Sequence, residues 1–314
     1  MSDAADEASA RPAEARPTAA PPAMLGIIGG SGVYDLPGLD SAEWVTVEGP
    51  WGAPSDAVRV GRLGDLRIAF LPRHGRGHRF SPSDINYRAN IDAMKRLGVT
   101  DLVSVSAVGS LREDLPPGTF VIVDQFIDRT FARPKSFFGA GCVAHVPFGE
   151  PVSPRLADRL EAAAIAEAIP VRRGGTYVVM EGPQFSTLAE SRLYRSWGCD
   201  VIGMTNMPEA KLAREAELCY ATVAMVTDYD SWHADHGAVD VAKILAVLAD
   251  NRDHAQRLLV RLARDFPRMH EPCPIGSDRA LEHALITAPA ARDPAVLARL
   301  DAVAGRLLSP AAGQ

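Results

Sequence analysis

An α/β fold, one large domain with a central β-sheet flanked by helices, is predicted by three features of this chain. Near-continuous Val/Ile/Leu/Ala runs end in small polar tips: LGIIGGSG (Leu25–Gly32), IAFLPRHG (Ile68–Gly75), LVSVSAVGS (Leu102–Ser110), DVIGMT (Asp200–Thr205) and ATVAMVTDYD (Ala221–Asp230). Such runs read as strands buried on both faces, whose ends carry ligands. Helical patterns with caps and Gly stops alternate with them. Finally, 314 residues with 47% hydrophobic and 23% charged content suffice for one sizeable core.

Residues 1–23, rich in Ala, Pro, Arg and acids, are expected to form a disordered leader. After the Leu25–Ile28 strand, runs near Ala57–Val60 and Arg67–Leu71 lead into a loop, Pro72–Pro82, dense in Arg, His and Gly. Ser83 or Asp84 is the expected cap of a helix to Leu97, with Gly98 as its stop. Strands at Asp101–Ser106 and Thr119–Asp124 precede a long connection, Arg129–Pro151. A connection longer than about 15 residues inside a domain is usually functional. Helix Pro154–Ala168, strand Thr176–Met180, helix Thr187–Trp197, strand Asp200–Gly203, helix Pro208–Leu218 and strand Tyr220–Val226 follow, then a long helix from Val239 to near Ala263. Beyond Pro267, Pro272 and Pro274, two short amphipathic helices are expected at Ser277–Ile286 and Pro294–Leu308. The chain is thus divided into a leader (1–23), a domain (24–270) and a C-terminal helical extension (271–314).

A net charge of −6 without a Lys/Arg block argues against nucleic acid as a partner. No apolar run approaches the roughly 20 residues of a membrane span. The leader lacks an apolar stretch and carries Asp3, Asp6, Glu7 and Glu14, against a secretory or transit signal. Four cysteines without CxxC spacing (Cys142, Cys199, Cys219, Cys273) suit reduced thiols, so a cytoplasmic location is expected.

Gly29-Gly30-Ser31-Gly32 lacks the Lys-Ser/Thr of a P-loop, and a GxGxxG frame from Gly30 meets Asp35, which excludes a dinucleotide loop. It is either a tight turn or a place where amides and the Ser31 hydroxyl approach a small anion. Arg73-His74 follows a strand directly, so a guanidinium fork suited to phosphate is expected at its end. His74 and His78 stand four apart without an acidic ligand, so no metal site is expected. Ser104, Ser106 and Ser110 either extend the anion site or belong to a Ser-rich core strand. Asp228 and Asp230 end a very apolar strand, and two acids close in a cleft have their pKa values pushed apart.

With GIIGGSG, RHGRGH, SAVGSLRE, DQFIDRT, RPKSFF, EGPQFST, MTNMPEAKLAREAELCYA and TDYDSW in this order, the chain resembles the trimeric purine nucleoside phosphorylases from about Met24 to Arg264. Within that branch it is most similar to the 5′-methylthioadenosine phosphorylases. The resemblance implies a mixed central sheet and phosphate held by Ser31, Arg73, His74, Ser106, Ala107 and Thr205. It further implies ribose held at Met204, a base pocket lined by Phe185 and Ser186, and Asp228 and Asp230 facing purine N7 and the 6-amino group. His145 and Phe137 would reach a neighbouring subunit's sugar, and Val241, Ile244 and Leu245 would wall the 5′-methylthio group. The implied activity is phosphorolysis of 5′-methylthioadenosine to adenine and 5-methylthioribose 1-phosphate, in methionine salvage, by a homotrimer. Inorganic phosphate is the co-substrate, and no metal or organic cofactor is called for. Gly203 stands where the family often has Asn, and some relatives take 6-oxopurines such as 5′-methylthioinosine. The paired aspartates favour the 6-amino base, because a carboxylate accepts from an amine and repels a carbonyl.

Overall fold

Leu102–Ser110, the longest of the Ser- and Val-rich runs, becomes the strand around which the others assemble. The computed structural model describes residues 20–30, 36–233 and 241–308. The chain begins β1 (Met24–Gly29), β2 (Asp40–Val45), β3 (Val58–Leu63), β4 (Leu66–Pro72), α1 (Tyr87–Arg96), β5 (Asp101–Ser110), β6 (Phe120–Ile122) and β7 (Gln125–Asp128). It continues α2 (Pro154–Ala166), β8 (Val171–Arg173), β9 (Thr176–Val179), α3 (Leu188–Ser196), β10 (Val201–Gly203), α4 (Asn206–Glu215), β11 (Cys219–Tyr229) and α5 (Val241–Asp265). Two short helices, α6 (Pro294–Arg299) and α7 (Gly305–Leu308), close it.

β5 lies parallel to β1 on one side and to β11 on the other, and its far end pairs antiparallel with β10. From β1 the sheet runs on through β4, β3 and β2, and from β10 through β9 and β7. β11 also pairs with β6, which pairs with β8. The sheet is therefore mixed. Side chains alternate across each strand, so β1 sends Met24 and Ile28 into one apolar cluster and Leu25 and Ile27 into the other. The first cluster is covered by α1 and α4 and the second by α2 and α5, with Ile91, Met94, Leu212, Leu156, Leu160, Leu258 and Leu262 all buried.

Several boundaries differ from expectation. Helix α1 starts at Tyr87, capped by Asn86, whose side chain accepts from the Ala89 amide at 3.2 Å. Ser83 and Asp84 are engaged elsewhere, with Glu181 and with Ser81 respectively. Ser277–Ile286 is not a helix: one 3₁₀ turn (Ser277–Arg279) is followed by backbone that pairs with the long connection, Ile286 donating to the Val143 carbonyl at 2.9 Å. The second expected helix is split into α6 and α7, between which Leu300, Val303 and Ala304 enter the first cluster. Of the leader, residues 1–19 lie outside the described residues, but Pro22 bridges to Met269 and Ala23 donates to the Arg268 carbonyl. Among the described residues no helix is long and apolar enough to cross a membrane.

Candidate active site

Register alone gathers the polar tips. Gly29 of β1 pairs with Pro72 of β4 and with Val105 of β5, so Gly30 and Arg73-His74 leave the sheet beside Ser106-Ala107, where β5 runs on paired with β11. Ser31 lies outside the described residues. On the other flank of β5, a bulge between Val226 and Asp228 brings Asp228 opposite Gly109. A side chain at 109 would meet Ile202, Asp228 and Asp230 at 3.2–3.4 Å, so glycine there keeps the acids against the strand end. Thr205, buried, stands at the N-terminus of α4, and Ala107 is exposed at the mouth.

Arg73 departs from expectation. Its guanidinium does not emerge as a free fork but turns into the core, 1% exposed, and donates to both carboxylate oxygens of Glu209 at 2.8 and 3.2 Å. It also donates to the Val105 and Ile28 carbonyls and to Ser104 Oγ. Burial opposes its charge, but Glu209 outweighs burial and holds it protonated. Arg73 thus ties β1, β4, β5 and α4 together behind the tips, and a guanidinium buried on these partners offers a bound anion positive field rather than a bidentate contact.

Ser106 is likewise committed. Tyr220 donates to Glu209 at 3.0 Å and Thr222 to the Ser104 carbonyl at 3.2 Å, so each accepts from Asn206 Nδ2, at 2.6 and 2.8 Å. This fixes the amide with Oδ1 toward Ser106, which donates its proton there at 3.0 Å. His74 Nδ1 lies 2.9 Å from the Phe80 carbonyl, and the ring stacks on His78 at 4.2 Å. Burial pushes the His74 pKa down to about 4, with the Arg73 charge acting the same way. The ring is neutral, with the proton on Nδ1, and Nε2 is the nitrogen left for a protonated phosphate oxygen.

At the base end, Asp228 is half-buried and accepts from Thr227 Oγ1 at 2.7 Å. Burial raises its pKa to about 6, against the Thr227 hydrogen bond and with help from the Asp230 charge. Asp230, 3% exposed, accepts from Ser186 Oγ at 2.5 Å, which joins two expected base-pocket residues directly. Phe185 beside them is 48% exposed, an open apolar wall.

Met204 is half-buried between these ends, and Arg133, which spacing did not single out, holds its carbonyl at 2.6 Å. The same fully buried guanidinium donates to the Met207 and Glu181 carbonyls at 2.7 and 2.6 Å, fixing the loops before and after the site. His145 is exposed, its amide bound to the Ala284 carbonyl at 2.9 Å. Phe137 is a correction: it is 3% exposed and packs edge-on against Trp51, so within this chain it is a core residue. Leu245 is 61% exposed on α5, and the side chains of Val241 and Ile244 lie outside the described residues. Gly203 leaves room for the Tyr177 hydroxyl, which a Cβ at 203 would meet at 2.1 Å.

A profile of the Phosphorylase superfamily matches residues 24–264. The chain belongs to the phosphorylase superfamily. Within this superfamily it is 68% identical over 286 residues to the S-methyl-5′-thioadenosine phosphorylase of Bradyrhizobium diazoefficiens, covering 91% of this chain and 98% of that one. It is 65% identical to the enzyme of the same name from Cereibacter sphaeroides, with 91% and 98% covered. A methylthioadenosine phosphorylase from an antarctic soil metagenomic library superposes with a TM-score of 0.83 at 46% identity, covering 90% of this chain and 99% of that one. The Schistosoma mansoni methylthioadenosine phosphorylase, in complex with tubercidin, gives 0.72 at 38% identity, with 77% and 91% covered.

Proposed function

We propose that this phosphorylase cleaves 5′-methylthioadenosine with inorganic phosphate, giving adenine and 5-methylthioribose 1-phosphate. One observation carries the reading: an acid poised near neutrality, Asp228, and an acceptor, Asp230, sit at one end of a strand whose neighbours end in anion-binding groups. The high identity to methylthioadenosine phosphorylases supports the same substrate.

The C1′–N9 bond breaks through an oxocarbenium-like ribosyl while a phosphate oxygen forms the new bond to C1′. The electron pair leaves with the purine, so the purine needs a proton or strong donor at N7. Protonated Asp228 supplies it, on the order of 10²–10⁴-fold in rate, and Asp230 accepts from the 6-amino group. His74 and the strand-end amides orient phosphate, which converts a bimolecular attack into a positioned one. No step calls for a metal or organic cofactor. The four buried free thiols suit a reducing cytoplasm. Phe131 at 82% and Leu245 at 61% exposure suit burial against a second copy, as in a homotrimer.

Asp230→Asn tests the base assignment, because the amide can donate to a carbonyl where the carboxylate only accepts. The kcat/KM ratio of 5′-methylthioadenosine to 5′-methylthioinosine should fall at least tenfold. An unchanged ratio removes Asp230 from base recognition. Light scattering checks the trimer, and a fully active monomer contradicts it.

A further inference from the structure

Tyr177 stands on β9 with its ring wholly buried, and its hydroxyl has no hydrogen-bond partner among the described residues. A buried phenol without an acceptor is costly, and burial holds it protonated by raising its pKa. Its surroundings say what would relieve it. The oxygen points at Gly203, the residue before Met204 and Thr205, and fills the space of the missing Cβ. It lies near the hydroxyls of Ser106 and Thr205, which ease its ionisation against burial without either completing a hydrogen bond of normal geometry, and within the fields of Arg73 and Glu209.

The neighbouring hydroxyl is in the opposite situation. Ser106 has spent its proton on Asn206, whose orientation Tyr220 and Thr222 fix, so Ser106 turns lone pairs rather than a donor to the pocket. An anion beside Ser106 needs a proton donor from elsewhere, and Tyr177 has one to give. We propose that Tyr177 is a phosphate-binding residue whose hydroxyl donates to the bound anion, and that Gly203 is the space that lets it reach. The departure at 203 is then half of a matched pair with Tyr177. This rests on the phosphorolytic reading above.

Tyr177→Phe removes only the oxygen. With the intact chain, the KM for phosphate is expected to rise about tenfold, the scale of a lost hydrogen bond to a charged group. The KM for 5′-methylthioadenosine at saturating phosphate should change less than twofold. Without phosphate the variant should melt no lower than wild type, because a partnerless buried hydroxyl has gone, and the rise in Tm on adding phosphate should shrink. Gly203→Ala should also raise the phosphate KM, since its methyl would push the tyrosine oxygen aside. An unchanged phosphate KM with a full phosphate-induced rise in Tm overturns the proposal, as does a rise confined to the nucleoside KM. If wild type itself turns over without phosphate, it is the phosphorolytic reading that fails.

Discussion

Arg73 Nε stands 2.8 Å from Glu209 Oε2, and both side chains are 1% exposed. Two residues far apart in sequence, one at a strand end and one in α4, therefore lock the phosphate side of the site from inside. Removing one member of a buried pair strands the other charge, at about 3–5 kcal/mol. Glu209→Ala should thus lower unfolding stability by that amount in urea titration. A loss below about 1 kcal/mol, the scale of an exposed pair, contradicts the buried brace.

Asp228 couples catalysis to stability through its proton. Its folded pKa, about 6, lies above the ordinary aspartate value of 3.8. The folded state therefore binds the proton more tightly than the unfolded chain does. The resulting stability is fully present below about pH 4 and is lost as pH rises through about 6. Two units correspond to about 3 kcal/mol. Asp228→Asn should be more stable than wild type at pH 7.5 by up to that amount, with the gain vanishing near pH 4, while kcat falls about 10²-fold. A stability difference that is the same at both pH values contradicts the buried-acid account.

The C-terminal extension supports the site through the long connection. Leu281 and Leu300 are wholly buried in the first cluster. The chain between them pairs with the connection, Val143 donating to Thr287 Oγ1 at 2.8 Å and His145 to the Ala284 carbonyl at 2.9 Å. Truncation after Glu271 should lower Tm by many degrees, since each large buried side chain lost costs about 2–5 kcal/mol. The milder Thr287→Ala should raise the KM for 5′-methylthioadenosine with Tm nearly unchanged, by loosening the backbone under His145. A truncated chain with unaltered Tm and kinetics would make the extension a passenger.

How far the sequence reached depended on the kind of signal. The strand tips were legible because apolar runs ending in small polar residues are a local pattern, and the aspartate pair stood out for the same reason. The direction of Arg73 was not, because a strand-end arginine can turn outward to an anion or inward to an acid, and Glu209 lies 136 positions away. Phe137 suggested an exposed crossing element and proved to be core, because Trp51, remote in sequence, receives it. Ser277–Ile286 has helical apolar spacing, yet its backbone forms local turns, Glu282 to the Arg279 carbonyl and Ala284 to that of Leu281, before Ala284 and Ile286 bond to the long connection. Tyr177 carried no signal: its meaning depends on an absent side chain at 203 and on an Asn206 amide fixed by two other residues.

The most direct test of the account is adenine release from 5′-methylthioadenosine by the purified full chain in phosphate-free buffer and in phosphate buffer, with the sugar product identified. Release that depends on phosphate and yields 5-methylthioribose 1-phosphate is the predicted result. Equal release in both buffers, with free 5-methylthioribose as product, would contradict it.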